Sequence, residues 1–156
     1  MSVVRSAIAA DLDAAADMAE RRRVLYESFE PVFWKRRPGS QAMSRAWFAH
    51  VLSKPENLFL VAEWSGAPTG FLIASPVATP PVLDAGPTAV IDDFCVDDPA
   101  LWASVGQALL REARAQLKER GFRQIVVVCG DKDVEKKALL AAENLSLAST
   151  WWTAPA

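Results

Sequence analysis

One stretch of the sequence, Thr88 to Gly121, reads TAVIDDFCVDDPALWASVGQALLREARAQLKERG. Its first part, Ala89 to Val96, is an apolar run that predicts a buried strand. Amphipathic spacing then predicts a helix from about Leu101 to Arg120, and Gly121 follows where helices commonly end. The next apolar run, Gln124 to Cys129, predicts a strand buried on both faces. Together these segments predict a βαβ crossover with a parallel pair of strands.

The composition of the chain is that of an ordinary globular protein. Its 156 residues fit a single domain, 1–156, and the 51% of hydrophobic residues can bury a core. The net charge of −2 argues against nucleic acid as the main partner. One histidine and two cysteines offer no metal-ligand spacing, so we predict no metal site.

The N-terminal sequence gives an expectation about location. Met1 to Arg5 does not resemble a signal peptide, and no apolar run is long enough to span a bilayer. We therefore expect a cytoplasmic protein without a membrane partner.

The segments around the central stretch complete a predicted element order. Helical spacing begins at Leu12 and runs to about Arg23, with a bent continuation through Tyr26 left open, and a second helix begins near Ser40 or Ser44. In that second helix Met43, Trp47, Phe48, Val51 and Leu52 form a predicted core-facing stripe. Two apolar runs, 58–64 and 69–75, predict an antiparallel hairpin, a helix follows Asp133, and 145–153 predicts a final strand. In that final strand Trp151 and Trp152 would point to opposite faces, so at least one would face the core. The order β-α-α-β-β-β-α-β-α-β predicts an α/β domain with a mixed, centrally splayed sheet.

Small residues near the start of the central helix predict an anion site. The segment is Ala103, Ser104, Val105, Gly106 and Gln107. A helix start presents unpaired N–H groups and partial positive charge, and small side chains let a phosphate approach them. The alternative for Gly106 is that it only allows close packing.

Two carboxylates, Asp92 and Asp93, lie inside the predicted central strand. Alternation places Asp92 on one face with Phe94, and Asp93 on the other with Ile91 and Cys95. A buried carboxylate is costly unless it is paired or functional, and burial raises its pKa, which suits a general base. The alternatives are an ion pair with an arginine, or a bulge that turns one side chain to solvent.

These motifs resemble the acyl-CoA-binding core of the GCN5-related N-acetyltransferases, the GNAT superfamily. In that family a strand Ile/Leu-Glu/Asp-Asp-Phe/Leu-x-Val precedes a Gln/Arg-x-x-Gly-x-Gly/Ala loop and a helix. Here the segments are Ile91 to Val96 and Leu101 to Gly106. The resemblance implies a single-domain acyl-CoA N-acyltransferase fold, a mixed central sheet flanked by helices on both faces. It also implies transfer of an acetyl group from acetyl-CoA to a primary amine of a small molecule or peptide by direct attack.

The resemblance also implies roles for individual residues. Backbone groups of Phe94 and Val96, with Cys95 between them, would bind the pantetheine arm and the acetyl carbonyl. Amides from Ala103 to Gln107 would hold the pyrophosphate. Asp92 matches the catalytic glutamate of polyamine-acetylating members, and Asp93 is the alternative candidate for the general base. Trp34 lies in the segment that shapes the acceptor side. Acidic residues near the site would attract a cationic amine, or would simply be solvated turn residues: Asp84, Asp92, Asp93, Asp97 and Asp98.

The sequence departs from the family pattern in ways that matter. Leu101 replaces the usual Gln/Arg, and Ser104 replaces the first loop glycine. Residues 133–145 resemble the family's Asn-x-x-Ala-x-x-Leu-Tyr segment, but Leu140 stands at the general-acid tyrosine. These departures favour an alternative, a non-catalytic acyl-CoA-binding or regulatory module, or a protein-interaction module, of the same fold. The sequence ends soon after Trp152, so we expect a sheet edge that is open or covered by a second subunit in a homodimer.

Overall fold

Five strands form one mixed sheet in the order β1-β2-β3-β4-β5. The structure is a computed structural model that describes residues 2–156, so Met1, the first residue of the predicted domain, lies outside it. The strands are β1 (Val3–Ser6), β2 (Leu58–Trp64), β3 (Ala67–Val77), β4 (Thr88–Val96) and β5 (Gln124–Val127). All neighbours are antiparallel except β4 and β5, which are parallel. The predicted hairpin and βαβ unit are therefore confirmed.

Four α-helices cover both faces of the sheet: α1 (Leu12–Phe29), α2 (Ser40–Leu52), α3 (Gln107–Glu119) and α4 (Val134–Ala142). On one face Met18 and Phe48 pack against Phe71 in a core with α1 and α2. On the other face Leu109 and Leu139 join a separate core with α3 and α4. This arrangement confirms the predicted α/β fold with helices on both faces. Among residues 2–156, no helix is long and apolar enough to cross a membrane.

A bulge interrupts β4 at the two carboxylates. Leu72 of β3 is opposite Phe94, and Ala74 is opposite Ile91, so two residues of β4 occupy the space of one residue on β3. Ile91 and Phe94 consequently pack in the same core, and Cys95 in the opposite one. Simple alternation, which put Ile91 and Phe94 on different faces, is therefore wrong, because an extra residue in one strand reverses the side-chain parity beyond it.

Strands β4 and β5 separate beyond their first four residues. Thr88 to Ile91 pair with Gln124 to Val127, and the Val128 N–H donates to the Ile91 carbonyl at 2.9 Å. β4 then continues to Val96 without a partner on that side. The predicted splay of the sheet therefore lies at the carboxylates.

The predicted final strand is absent from the described structure. Residues 145–156 have no helix or strand, and Trp151 and Trp152 are 83% and 94% exposed. The expectation that one of them faces the core is therefore wrong. β5 consequently lies at the edge of the sheet with Val126 exposed, so its predicted burial on both faces is also wrong. An apolar run alone does not reveal whether a further strand covers it.

Helices α1 and α2 differ in detail from the sequence prediction. α1 continues past Arg23 to Phe29 and buries Tyr26. Of the predicted stripe in α2 only Phe48 and Val51 are buried, Leu52 is half-buried, and Met43 and Trp47 are exposed. The predicted stripe is too wide because Phe48 and Val51, three residues apart, already face the sheet, whereas Met43 and Trp47 flank them on the outer surface.

Candidate active site

Asp92 and Asp93 meet an arginine from α1 at the bulge. Arg22 donates one N–H to the Asp92 carbonyl at 3.0 Å and another to Asp93 Oδ1 at 3.4 Å. The Asp92 side chain is exposed, whereas that of Asp93 is 18% exposed. Burial raises the pKa of Asp93, and the charge of Arg22 opposes this shift. The ion pair and the bulge named as alternatives both occur, and they leave the two carboxylates in different environments.

A groove of about 420 Å³ opens beside these carboxylates. Its walls come from α1, the loop that follows it, the start of α2 and β4. Asp92, Asp93 and Trp34 all line it, so the structure brings these three predicted site residues together. The ring of Tyr26 lies 5.0 Å from that of Trp34, centre to centre, and forms part of the same wall. This groove is therefore the cavity that Asp92, Asp93 and Trp34 share.

A lysine that sequence reasoning missed lies on the other side of β4. The Lys136 side chain is fully buried, and its Nζ donates to the Phe94 carbonyl at 3.3 Å. The rings of Phe94 and Trp102 lie 5.2 and 5.4 Å from the same nitrogen. No carboxylate in the described part of the chain lies within 4.0 Å of it. Burial, together with the nearby charge of Arg22, lowers the pKa of Lys136 to about 8.

The position of Lys136 carried a signal in the sequence. Counting through the family-like segment that begins at Asp133 places Lys136 at the motif's alanine. A long cationic side chain therefore stands where the pattern has a methyl group. Lys136 also lies one helical turn before Leu140, which is half-buried and packs against the core. The lysine at the position of the motif's alanine therefore places a positive charge where β4 and β5 separate.

The central helix begins earlier than predicted. Asp98 caps it by accepting from the Ala100 N–H at 2.8 Å, and Pro99 occupies its first turn. A 3₁₀ turn, Pro99–Leu101, and a π-helical turn, Trp102–Gly106, then run into α3. The Gln107 N–H donates to the Ser104 and Trp102 carbonyls. An acidic cap followed by proline is a known helix-start signal, and it places residues 103–107 in later turns.

Gly106 has a packing role in this structure. A Cβ on it would lie 2.6 Å from Cε3 of Trp102 and 3.0 Å from Cδ2 of Leu139. The missing side chain therefore lets the Trp102 ring and α4 approach the helix. Within the same segment Ala103 and Ser104 are exposed, whereas Val105 is buried and Gln107 half-buried. Gly106 therefore allows close packing in this structure, which is the alternative to a role in anion binding.

At Phe94 the separation between β4 and β5 is occupied by the buried side chain of Lys136. The Phe94 carbonyl is taken by Lys136, and Trp102 is 6% exposed beside it. Cys95 is buried in the core on the opposite face, and Val96 pairs with Gly70 of β3. The predicted cofactor residues therefore lie together on β4 and the helix, in a conformation that is closed at Phe94.

Tyr26, the single tyrosine of the chain, holds the start of α4. Its hydroxyl donates to Asp133 Oδ2 at 2.5 Å and accepts from the Gly130 N–H at 3.2 Å. Asp133 in turn caps α4 by accepting from the Lys136 N–H at 3.3 Å. Burial and the bond to Asp133 raise the pKa of Tyr26, and its hydroxyl proton is already donated to Asp133. This tyrosine therefore does not replace the acid missing at Leu140.

The remaining acidic residues serve elsewhere. Asp84 is exposed in the loop before β4, Asp97 pairs with Arg21 on the surface, and Asp98 is the helix cap. Only Asp92 and Asp93 of the acidic set line the groove. Within residues 2–156, no group of three or more His, Cys, Asp or Glu side chains is placed to hold a metal ion.

Comparison with known proteins agrees with this arrangement of elements. The model of the acetyltransferase (GNAT) family matches residues 19–143, and the chain belongs to that family. No curated protein matches the sequence.

Three solved structures share the fold at low sequence identity. The tetramutant of the BH1408 protein from Bacillus halodurans is 15% identical with a TM-score of 0.85, and 99% of each chain is covered. A predicted acetyltransferase from Clostridium acetobutylicum, solved with acetyl-CoA, is 13% identical with a TM-score of 0.75, covering 99% of this chain and 96% of that one. The aminoglycoside N-acetyltransferase AAC(6')-Iy, in complex with CoA, is 15% identical with a TM-score of 0.71, covering 100% and 95%.

Proposed function

We propose that this protein is an N-acetyltransferase that moves an acetyl group from acetyl-CoA to a primary amine of a small molecule or peptide. The observation that carries the proposal is the position of the groove, which reaches Asp92 and Asp93 at the point where β4 leaves β5. Membership of the GNAT family supports acyl transfer in general. Two structures of similar fold carry acetyl-CoA or CoA, which supports acetyl-CoA as the co-substrate.

In the proposed reaction the two carboxylates have different roles. The exposed Asp92 binds the ammonium, and Asp93, whose pKa burial raises, accepts its proton. The free amine then attacks the thioester carbonyl carbon, so a C–N bond forms, the C–S bond breaks and CoA leaves as the thiolate, which takes up the proton that the new amide nitrogen loses. Trp34 forms the acceptor wall. No covalent enzyme intermediate is needed in this direct transfer.

The proposed cofactor site needs a rearrangement of α4. Backbone groups of Phe94, Cys95 and Val96 would receive the thioester and pantetheine once Lys136 leaves the Phe94 carbonyl. Amides from Ala103 to Gln107 would hold the pyrophosphate; Ala103 and Ser104 are exposed, whereas the Gln107 N–H would first have to leave the Ser104 and Trp102 carbonyls. We therefore propose that the closed arrangement opens when acetyl-CoA binds.

Release of CoA thiol in the presence of amines tests the assignment of the base. We expect Asp92→Asn with Asp93→Asn to lower turnover by about 100-fold or more, since general-base catalysis contributes about that much. Asp84→Asn, on the exposed loop, is the matched control and should leave turnover unchanged. Unchanged turnover in the double variant would make the base assignment wrong.

A second candidate is favoured by Lys136 and Leu140: a non-catalytic acyl-CoA-binding or regulatory module, or a protein-interaction module. Calorimetric titration with acetyl-CoA on the native chain, Lys136→Ala and Lys137→Ala separates the candidates. Binding with CoA release once amines are added identifies an enzyme, whereas saturable binding without release in the presence of the amines identifies a binding module. Binding gained only by Lys136→Ala would show that the site is closed in the native chain and favour an interaction module.

The wider setting of the proposal is a single domain, 1–156, that forms a homodimer in the cytoplasm without nucleic-acid or membrane partners. The edge of β5 and the exposed Trp151 and Trp152 support a contact between copies. Two free cysteines, Cys95 and Cys129, are compatible with a reducing compartment.

A further inference from the structure

The groove beside the carboxylates is basic on its helical and loop side. Five cationic side chains line it, against the two carboxylates of β4: Arg22, Arg23, Lys35, Arg36 and Arg37. The cations come from α1 and the loop that follows it, whereas the carboxylates come from the sheet. A ligand in the groove therefore meets opposite charges on different walls.

Some of these cations are neutralised within the protein. Arg36 pairs with Glu20 and Glu27, both at 2.8 Å, and Arg23 lies 3.4 Å from Glu20. In the part of the chain that the structure describes, Lys35 and Arg37 have no carboxylate within 4.0 Å. The outer wall therefore keeps two positive charges for a ligand.

Arg22 adds a cation whose side chain is 15% exposed. Two nitrogens of its guanidinium contact Asp92 and Asp93. Within residues 2–156, its Nε is a buried donor without a hydrogen bond, which is unfavourable for a charged group. Because this nitrogen has no surface open to the groove, a ligand there would meet the positive charge of Arg22 and not a free N–H.

The third wall is apolar. Phe33 and Trp34 pack edge to face with ring centres 4.7 Å apart, and the exposed Met43 lies on the same groove. Side chains of this kind bind rings and other flat apolar groups. The groove thus combines an acidic wall, a basic wall and an aromatic wall in about 420 Å³.

We propose that the acceptor is an amine that also bears an anionic group, a carboxylate or a phosphate, on an apolar or aromatic body. This inference rests on the proposed acetyl transfer, whose acceptor it specifies. The amine faces Asp92 and Asp93, and the anion faces Arg22, Lys35 and Arg37. A purely cationic amine, which the acidic residues of the sequence suggested, would meet excess positive charge on the loop side.

Matched acceptors test the proposal by calorimetric titration of the full chain. L-Phenylalanine and 2-phenylethylamine share the ring and the amine and differ by the carboxylate, and phosphoethanolamine and ethanolamine differ by the phosphate. In at least one of these two pairs we expect the compound with the anionic group to bind at least about tenfold more tightly than the compound without it. A factor of this size is what one charge-assisted hydrogen bond contributes. Equal binding within both pairs, or binding of neither, would overturn the proposal.

Variants locate the preference in the groove. Lys35→Gln with Arg37→Gln should reduce the preference at least about threefold, whereas Lys54→Gln, an exposed lysine outside the groove, should preserve it. A preference unchanged in the double variant would overturn the assignment.

CoA release separates this inference from the proposed function. A binding preference without CoA release from acetyl-CoA keeps the anionic site and rejects the acetyltransferase. Faster CoA release with 2-phenylethylamine than with phenylalanine, and with ethanolamine than with phosphoethanolamine, keeps the acetyltransferase and rejects the anionic site.

Discussion

Lys136 shows at the scale of a single residue how a side chain can oppose folding. Its ammonium is fully buried, and the Phe94 carbonyl and two aromatic rings are its neighbours. Such partners do not fully replace water around a charge, and burial therefore lowers the pKa to about 8 from 10.5. The charged form of this residue consequently destabilises the native state.

Lys136→Met should stabilise the protein at neutral pH. Below about pH 8 Lys136 is protonated in both the folded and the unfolded wild-type protein, and the cost of burying its charge, on the order of 3 kcal/mol, is fully present. Between about pH 8 and 10.5 the unfolded state binds more protons, so native stability rises with pH and the penalty disappears. Urea unfolding at pH 7 and pH 10 should therefore show an advantage of the variant that shrinks at the higher pH.

Lys137→Met is the neighbouring control for this measurement. Lys137 is exposed and pairs with Asp131 on the surface at 2.9 Å, so its removal should change stability by less than about 1 kcal/mol at either pH. An advantage of Lys136→Met that stays constant from pH 7 to pH 10 would contradict the titration of Lys136.

The sequence predicted some site residues and missed others for identifiable reasons. Asp92, Asp93 and Trp34 stand out as residue types, and the structure places all three on one groove. Arg22 carries no local signal of its role, because nothing in the sequence around it shows that a distant strand bulge lies opposite it. Lys136 gives only a weak signal, a lysine at the alanine of the family-like segment, and the sequence does not show that its side chain is buried.

At the scale of the elements, the cap of the central helix decides where its free amides lie. Asp98→Ala should destabilise the protein by about 1 kcal/mol, because the Ala100 N–H loses its acceptor. Asp97→Ala, one residue away, removes only an exposed pair with Arg21 and should cost less than about 1 kcal/mol. Thermal unfolding of the two variants makes the comparison, and equal losses would contradict the cap.

The attachment of α1 to α4 gives a second prediction at this scale. Tyr26→Phe removes the hydroxyl that bonds Asp133 and Gly130 in a buried site. We expect a loss of about 2 kcal/mol, since both groups are left without their partner. Ser28→Ala, an exposed hydroxyl near the end of the same helix, is the control in chemical denaturation and should have little effect. Equal losses in the two variants would rule out the buried bond as a major contribution.

Local sequence signals predicted the order of helices and strands better than their details. Amphipathic spacing identified α3, and alternating apolar runs identified the β2–β3 hairpin. The bulge at Asp92 was one of two open alternatives, because a strand's own sequence does not record the register of its neighbour. The helical turns begin at Pro99, close to the predicted start at about Leu101, and Asp98 with Pro99 is the local signal for that start.

For the whole molecule, the sequence predicted the mixed sheet but also predicted a final strand at its edge that the structure does not have. The apolar residues of 145–153 resemble a strand, yet strand formation needs a partner that the chain itself does not place there. Leu147, Trp151 and Trp152 therefore remain more than three-quarters exposed. These side chains and the open edge of β5 are the surfaces on which a second copy of the chain would pack in the proposed homodimer.

The proposed homodimer can be tested by light scattering after gel filtration. We expect a mass of twice the 17.0 kDa chain, and Val126→Lys on the exposed edge of β5 should reduce it to one chain. Lys118→Glu, an exposed change on the last turn of α3, should leave the mass unchanged. A native mass of one chain would contradict the dimer.

The Tyr26–Asp133 hydrogen bond joins two parts of the molecule that different ligands would use. Tyr26 forms part of the groove wall, and Asp133 begins the helix that carries Lys136. A displacement of α4 that withdraws Lys136 from β4 and moves Asp133 with it would strain this bond and so alter the groove. Occupancy at one side of β4 would then be thermodynamically linked to occupancy at the other, and linkage of this kind is reciprocal. Each ligand would change the affinity for the other by the same factor, and Tyr26→Phe should bring that factor closer to one.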